Sequence, residues 1–255
     1  MEIITSKSNS KVKLAASLNE KKYRLENGMF LIEGRKILDM GLEANLVDTI
    51  FTTKQLKNID SAVKIYQVTD EIIEKISNEK NPEGIVAICK FPNWEKDYSK
   101  YKKIVYLDDV SDPGNMGTII RTALAFNYDA VVLSKNCVDV YNPKVITAAR
   151  GAIFLLPIFN DDLGRFSNKE IIVSALSDKA VSIEKVNKKD DFVLVLGNEA
   201  HGVSEETLKM ASQVVKIDIS DSIDSLNVAI AGGILMNHLK WVRDLGENHE
   251  NIKKI

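Results

Sequence analysis

Apolar residues recur at three- and four-residue spacing near the start of the chain, where Val12, Leu14, Ala15 and Leu18 mark one face of a helix. Strand-like and helical stretches then follow at close intervals: FLIEG at 30–34, a helical KILDMGLEA, the runs LVDTIFTT and AVKIYQVT, a helical DEIIEKISNE, and GIVAICKF at 84–91. That order predicts a small α/β unit. The stretch PNWEKDYSKYKK, 92–103, is polar and aromatic without a period and reads as a linker, so a boundary is expected near residue 95, with one unit over 1–95 and a second over 96–255.

Beyond the linker, β-branched runs alternate with helical segments: IVYLDDV (104–110), DAVVL (129–133), EIIVSAL (170–176), FVLVLG (192–197) and VVKIDI (214–219). They are apolar nearly throughout, as expected of strands buried on both faces, and predict a parallel sheet covered by helices. A last helix is expected from about Ser225 to Arg243, where LNVAIAGGILMNHLKWV is apolar on most sides and rich in small residues.

Composition narrows the function classes. With 255 residues, 45% hydrophobic and 27% charged, the chain can bury a sizeable core, which excludes global disorder. Thirty-four Lys and Arg against thirty-six Asp and Glu leave a net charge of -2, which excludes a polycation that binds nucleic acid by bulk charge. The distribution is uneven, however: the first 24 residues hold Lys7, Lys11, Lys13, Lys21, Lys22 and Arg24 against only Glu2 and Glu20. Such a segment is either a solvated helix face or a surface for phosphates. The longest apolar stretch, 151–159, contains a proline and falls far short of the roughly 20 residues of a membrane span. Cys89 and Cys137 form no CxxC pair or metal cluster, and no signal-peptide core opens the chain. The expectation is a soluble protein of the reducing cytoplasm, without membrane partner or metal.

In a parallel sheet, ligands bind beyond the carboxyl ends of the strands, and three loops there are unusual. In DDVSDPGNMGTIIRTALAF, Pro113, Gly114 and Gly117 predict a tight turn, Asn115 a helix cap, and Arg121 a cation about one turn into the helix, against its dipole. Conflicts of this kind gather at functional sites. The plainer alternative is an ion pair with Asp109 or Asp112. The second loop, LGNEAHGVSEET (196–207), has the spacing of a phosphate loop but Val203 where its lysine would stand, so a nucleotide triphosphatase is not expected. Glu199 there either caps a helix or faces a ligand, and His201 reads as a surface residue. In the third, IDISDSIDSLNVAIAGGIL (217–235), Ser225 reads as a cap, which leaves Asn227 unexplained. No strand is followed by GxGxxG, and GxSxG is absent.

With these three loops in order, the chain resembles the SpoU, or TrmH-like, branch of the SPOUT family of RNA ribose 2′-O-methyltransferases over almost its whole length. DPGNMGTIIRTALAF, LGNEAHGVS and IDISDSIDSLNVAIAGGIL resemble the family's three motifs, and the first unit, with FLIEGRKIL, resembles its L30e-like RNA substrate-binding domain. The resemblance implies an α/β SPOUT domain with a parallel sheet and a deep trefoil knot, an exception to the rule against threaded chains. It implies S-adenosyl-L-methionine held by backbone groups around Leu196, Gly197, Ile217 and Leu226, and catalytic positions at Asn115, Arg121, Glu199, Ser225 and Asn227. It further implies RNA contacts from Lys7, Lys11, Lys13, Arg24 and Arg35, and a 23S ribosomal RNA substrate ahead of transfer RNA. The family's homodimer would pack the apolar last helix across a two-fold axis, with the Arg of one subunit serving the cofactor of the other. The third motif departs from the pattern: Asp218, Ile219 and Asp221 stand where the family commonly has Ile-Pro-Met and a later glycine, which bears on cofactor affinity. The alternative is a catalytically silent RNA-binding or ribosome assembly protein, against which stand the retained Arg121, Asn227 and Gly197 turn.

Overall fold

The computed structural model describes residues 2–57, 59–177, 179–187 and 190–240. The first part of the chain runs β1 (Glu2–Ile4), α1 (Ser10–Ser17), α2 (Lys21–Asn27), β2 (Met29–Glu33), α3 (Arg35–Glu43), β3 (Val47–Thr52), β4 (Lys64–Val68), α4 (Asp70–Ile76) and β5 (Ile85–Lys90). The second runs β6 (Lys103–Leu107), α5 (Pro113–Ala125), β7 (Ala130–Leu133), α6 (Pro143–Ala149), β8 (Ile158–Asn160), β9 (Glu170–Ser174), β10 (Val181–Ser182), β11 (Phe192–Leu196), α7 (Glu205–Met210), β12 (Gln213–Lys216) and α8 (Val228–Leu239).

Two sheets result. The first is mixed, with order β1-β4-β3-β5-β2 and antiparallel pairing of β5 with both β2 and β3. The second has seven strands in the order β10-β12-β9-β11-β6-β7-β8, parallel throughout. Alternate residues of its central strands face opposite ways, and both sets are buried: Val105, Leu107, Leu194 and Leu196 on one side, Ile104, Tyr106, Val193 and Val195 on the other. This explains the unbroken apolar runs of the sequence.

A single core spans both sheets. Phe30, Ile32, Ile50 and Ala87 of the first sheet share one apolar cluster with α3, α5, α6 and the inner face of the second. The far face of the first sheet packs on α1 and α4 through Val12, Leu18, Ile72 and Ile76. In the shared layer α5 and α6 approach closely at Gly117, where a Cβ would lie 2.5 Å from that of Ala148 and 2.6 Å from the Val145 carbonyl oxygen. Any side chain there would push the helices apart.

Several expectations change. The 92–103 segment is no loose linker: Trp94, Tyr98 and Tyr101 pack on the outer core of the second sheet, with Tyr98 edge-on to Phe159 and Phe166 at 5.4 and 4.8 Å. Its aromatic residues lack a period because tertiary contacts, not helix or strand geometry, place them. Gly114 and Gly117 lie inside α5 rather than in a turn before it. The last helix starts at Val228, and the expected stretch from 241 to Arg243 lies outside the described residues. Among those residues, no helix is long and apolar enough to cross a membrane.

Candidate active site

Asp112, not Asn115, caps α5: its carboxylate accepts the Asn115 amide at 2.7 Å, and Pro113 occupies the first turn. Asn115 is thereby free to turn its side chain outward. Its Nδ2 donates to Glu199 Oε1 at 3.0 Å and its Oδ1 accepts from Asn227 Nδ2 at 2.9 Å, so residues from three distant loops form one hydrogen-bonded row. Asn227 is also the cap of α8, accepting from the Ala229 and Ile230 amides at 2.9 and 3.3 Å. The expected cap, Ser225, lies exposed two residues upstream.

Glu199 does cap a helix, but it caps α5 rather than the helix that follows it. Its carboxylate accepts from the Ser111 and Asp112 amides at 3.3 and 3.2 Å and from the Ser111 hydroxyl at 3.2 Å, in addition to Asn115. The positive end of a 13-residue helix favours an anion there. Burial opposes ionisation of Glu199, yet the bonds from Asn115, its own amide, Ser111 and Asp112 outweigh it and hold the carboxyl below the ordinary glutamate range.

The loop that carries Glu199 is built to a fixed shape. A Cβ on Gly197 would lie 2.4 Å from the Gly202 carbonyl carbon and 2.6 Å from the Val203 nitrogen, so the loop can close on itself only over glycine. Asn198 and Gly202 exchange backbone bonds at 2.8 and 2.9 Å, and the Asn198 side chain accepts from the Ala200 amide while donating to the Asp109 carbonyl at 2.8 Å. Beneath it, buried Asp108 accepts from the Ser204 amide at 3.0 Å and the Thr207 hydroxyl at 2.8 Å. Asp109 adopts φ 58°, held by bonds from Ser134 and from Asn136 at 3.0 Å, which also lower its carboxyl pKa. Sequence reasoning missed Asn198 and Asp108. Asn directly after a turn glycine is an available signal, since its side chain bonds local backbone; Asp108 carries none, because in sequence it is simply the polar end of a strand.

A cleft of about 940 Å³ opens where these loops meet the ends of β9, β11 and β12. Four of the five expected catalytic residues line it, namely Asn115, Glu199, Ser225 and Asn227, together with Leu196, Gly197, Ile217 and Leu226. Ile217 and Ile219 face the cleft, while Asp218 accepts a hydrogen bond from the Ser182 hydroxyl. The departure from Ile-Pro-Met therefore ties its carboxylate to β10 rather than leaving it loose.

Arg121 is not part of this lining. It sits eight residues beyond Pro113, about two turns into α5, and so escapes the helix dipole that made its position look awkward. It is exposed, on one stripe with Gly114, Thr118 and Ala125. Neither Asp109 nor Asp112 pairs with it, and it has no ion pair among the described residues.

Residues 102–237 match the SpoU rRNA Methylase family, and residues 9–87 match the MRM3-like substrate binding domain. The chain belongs to the SpoU rRNA methylase family. A relative in Bacillus subtilis (strain 168), 23S rRNA (guanosine(2553)-2′-O)-methyltransferase RlmP, is 30% identical over 94% of this chain and 100% of its own. Human mitochondrial rRNA methyltransferase 3 is 26% identical over 84% of this chain and 68% of its own. The crystal structure of the AdoMet-bound rRNA methyltransferase from Sinorhizobium meliloti superposes with a TM-score of 0.85 at 27% identity, covering 93% and 97% of the two chains.

In this SpoU methylase the expected RNA contacts divide. Lys7 and Lys13 are exposed; Lys11 pairs with Glu2 at 3.3 Å and lies 4.1 Å over the Tyr66 ring. Arg35, also exposed, donates to Asp39 at 2.8 Å. Arg24 is 3% exposed and cannot grip RNA: it is bound to Asp139 and to two backbone carbonyls. A helix face with a cationic residue looks the same in sequence whether water or another unit covers it.

Proposed function

We propose that this methylase transfers a methyl group from S-adenosyl-L-methionine to the 2′-oxygen of one ribose in ribosomal RNA, 23S RNA ahead of transfer RNA. The observation that carries the reading is the row Glu199–Asn115–Asn227, in which residues 84 and 112 positions from Asn115 meet at one cleft mouth. The alignment to a named 23S rRNA ribose methyltransferase along that relative's whole length supports the substrate.

The cleft suits the cofactor. Its volume lies within the roughly 300–1,000 Å³ of small-molecule sites, Leu196, Val203, Leu208 and Leu226 offer an apolar slot for a flat ring, and Asp112, Asn198 and Ser225 a polar edge. Bound there, the cofactor supplies an electrophilic methyl carbon on a sulfonium sulfur. Leu196, Gly197, Ile217 and Leu226 hold it. Ser225 and the free amide hydrogen of Asn227 orient the ribose, and such alignment contributes up to about 7–11 kcal/mol to lowering a barrier. Glu199, with both oxygens engaged by donors, is a poor base and serves as a positioning residue. The guanidinium of Arg121, a planar fork of N–H donors, takes the phosphate beside the target ribose. A 2′-hydroxyl target selects RNA without base readout.

Residues 1–95 act as the RNA-binding unit and 96–255 as the transferase, the latter threaded as a trefoil knot; β12 lying between β9 and β10, out of chain order, supports the threading. The working form is a cytoplasmic homodimer. Ile230 and Ile234 are 56% and 41% exposed on α8, which packs on α5, and Arg121 lies outside its own cleft; both fit a second copy seated on this surface. Mapping 2′-O-methyl groups in ribosomal and transfer RNA from cells with and without the gene tests the function: one ribosomal ribose should lose its methyl group, and an unchanged map overturns the proposal.

A further inference from the structure

Beside an exposed hydrogen bond from the Thr147 hydroxyl to Glu79 at 3.4 Å, two buried kinds of contact join the first unit to the second. One is apolar: Phe30 and Phe91 flank Tyr141, with ring centroids 4.8 and 4.0 Å from its own, and Phe154 lies 6.2 Å from Phe30. The other is a buried ion pair 115 residues long in sequence. Arg24 of α2 donates through Nε and Nη2 to Asp139 Oδ2 at 3.0 and 2.6 Å, while Nη1 donates to the Leu18 and Asn19 carbonyls at 2.8 Å. The two side chains are 4% and 10% exposed. Asp139 in turn accepts the Tyr141 amide at 3.1 Å, which ties the pair to the ring cluster.

Apolar burial holds the units together but has little direction. A buried pair, by contrast, recovers little or none of its desolvation cost as stability, whereas a guanidinium anchored to the Leu18 and Asn19 carbonyls of its own unit and reaching one Asp139 oxygen through two bonds gives the contact a direction. The loop carrying Asp139 leads into α6, and α6 packs on α5 at Gly117, two residues from Asn115 and four from Arg121. One closely packed helix pair thus connects the Asp139 loop to the cleft residues.

We propose that Arg24 and Asp139 are a positioning pair that fixes the angle of the RNA-binding unit on the transferase, and thereby selects which ribose reaches the cleft. The proposal rests on the methyl-transfer reading above. The test uses the full chain with Arg24→Met and Asp139→Asn combined, which removes both charges and keeps an acceptor for the Tyr141 amide. Spin labels at Glu74→Cys and Lys209→Cys, one on each unit and both exposed, report the inter-unit distance in labelled protein diluted with unlabelled chain. The expected result has four parts: a thermal midpoint close to wild type, cofactor affinity within twofold, a distance distribution at least 1.5-fold broader, and rRNA methylation slowed tenfold or spread to neighbouring riboses. A distribution as narrow as wild type overturns the proposal whatever the activity, and so does a broadened one with wild-type rate and site. Should the double variant not fold, Arg24→Lys, which keeps the charge and loses the fork, is measured in the same way, and the same outcomes support or overturn the proposal. If the wild type itself methylates no rRNA, the functional reading falls, and the label distances still decide whether the pair fixes the angle.

Discussion

Arg24 is buried against Asp139 of the second unit with every nitrogen engaged, whereas Arg121 stands on the outer stripe of α5 with no ion pair among the described residues. Both are helical arginines, and the resemblance to the SpoU family implies a functional role for each. Their surroundings separate them. A buried guanidinium whose every nitrogen is engaged by its own chain cannot reach a phosphate, so its contribution is to hold the fold; one left exposed retains its fork for a ligand. The carboxylates divide by burial instead: Asp108 is buried beneath the Gly197 loop, while Glu199, with both oxygens engaged, reaches across the cleft mouth to join α5 to that loop.

The contrast breaks most sharply on stability. Arg24→Met alone leaves Asp139 buried without its partner, which should cost about 3 kcal/mol or more, a drop of roughly 6–12 °C in thermal midpoint for a chain of this size. Arg121→Ala should move the midpoint by no more than about 1 °C. Calorimetry on both variants would sink the contrast if the two midpoints fell together.

A smaller effect is expected at the basic segment. Replacing Lys7, Lys11 and Lys13 with Ala should weaken RNA binding and flatten the slope of log affinity against log salt by about 2–3. Lys11, tied to Glu2 and Tyr66, should contribute least of the three. Titrations at several salt concentrations check this, and an unchanged slope would remove the first unit's cations from the interface.

The smallest effect concerns acid. The folded-state pKa of Glu199 is lowered, so its contribution to stability is present above the unfolded glutamate value of about 4.3 and is lost as pH falls through the folded one. Glu199→Gln should therefore flatten the dependence of the thermal midpoint on pH below about 4.3 and leave it unaltered at pH 7 to 8. Parallel pH profiles in wild type and variant would argue against the cap on α5.

Much of this architecture is legible in the sequence because its signals are local. Strands buried on both faces read as apolar runs, and the three loops announce themselves by glycine, proline and asparagine at strand ends. The beginning of α5 is also legible in principle, since Asp112-Pro113 is a cap followed by a first-turn proline; the glycines that follow it suggest a turn instead. The depth of Arg24 is not legible, because it depends on Asp139 arriving from 115 residues away. Strands as short as β1, β8 and β10, of two or three residues, are too brief to show a period. The aromatic residues of 92–103 follow no repeat because they fill gaps on a surface made elsewhere.

Methyl transfer at the Glu199–Asn115–Asn227 cleft, completed by Arg121 of a second copy, is proposed to depend on Arg121 independently of fold stability. The most direct measurement compares wild type and Arg121→Ala in three quantities: thermal midpoint, S-adenosyl-L-methionine affinity, and single-turnover methylation of unmodified ribosomal RNA read at nucleotide resolution. The predicted result is an unchanged midpoint, unchanged cofactor affinity and a rate lower by 10²-fold or more, roughly 3 kcal/mol in the barrier. A variant that unfolds early while its folded fraction methylates the same ribose at the wild-type rate would contradict the account and return Arg121 to the structure.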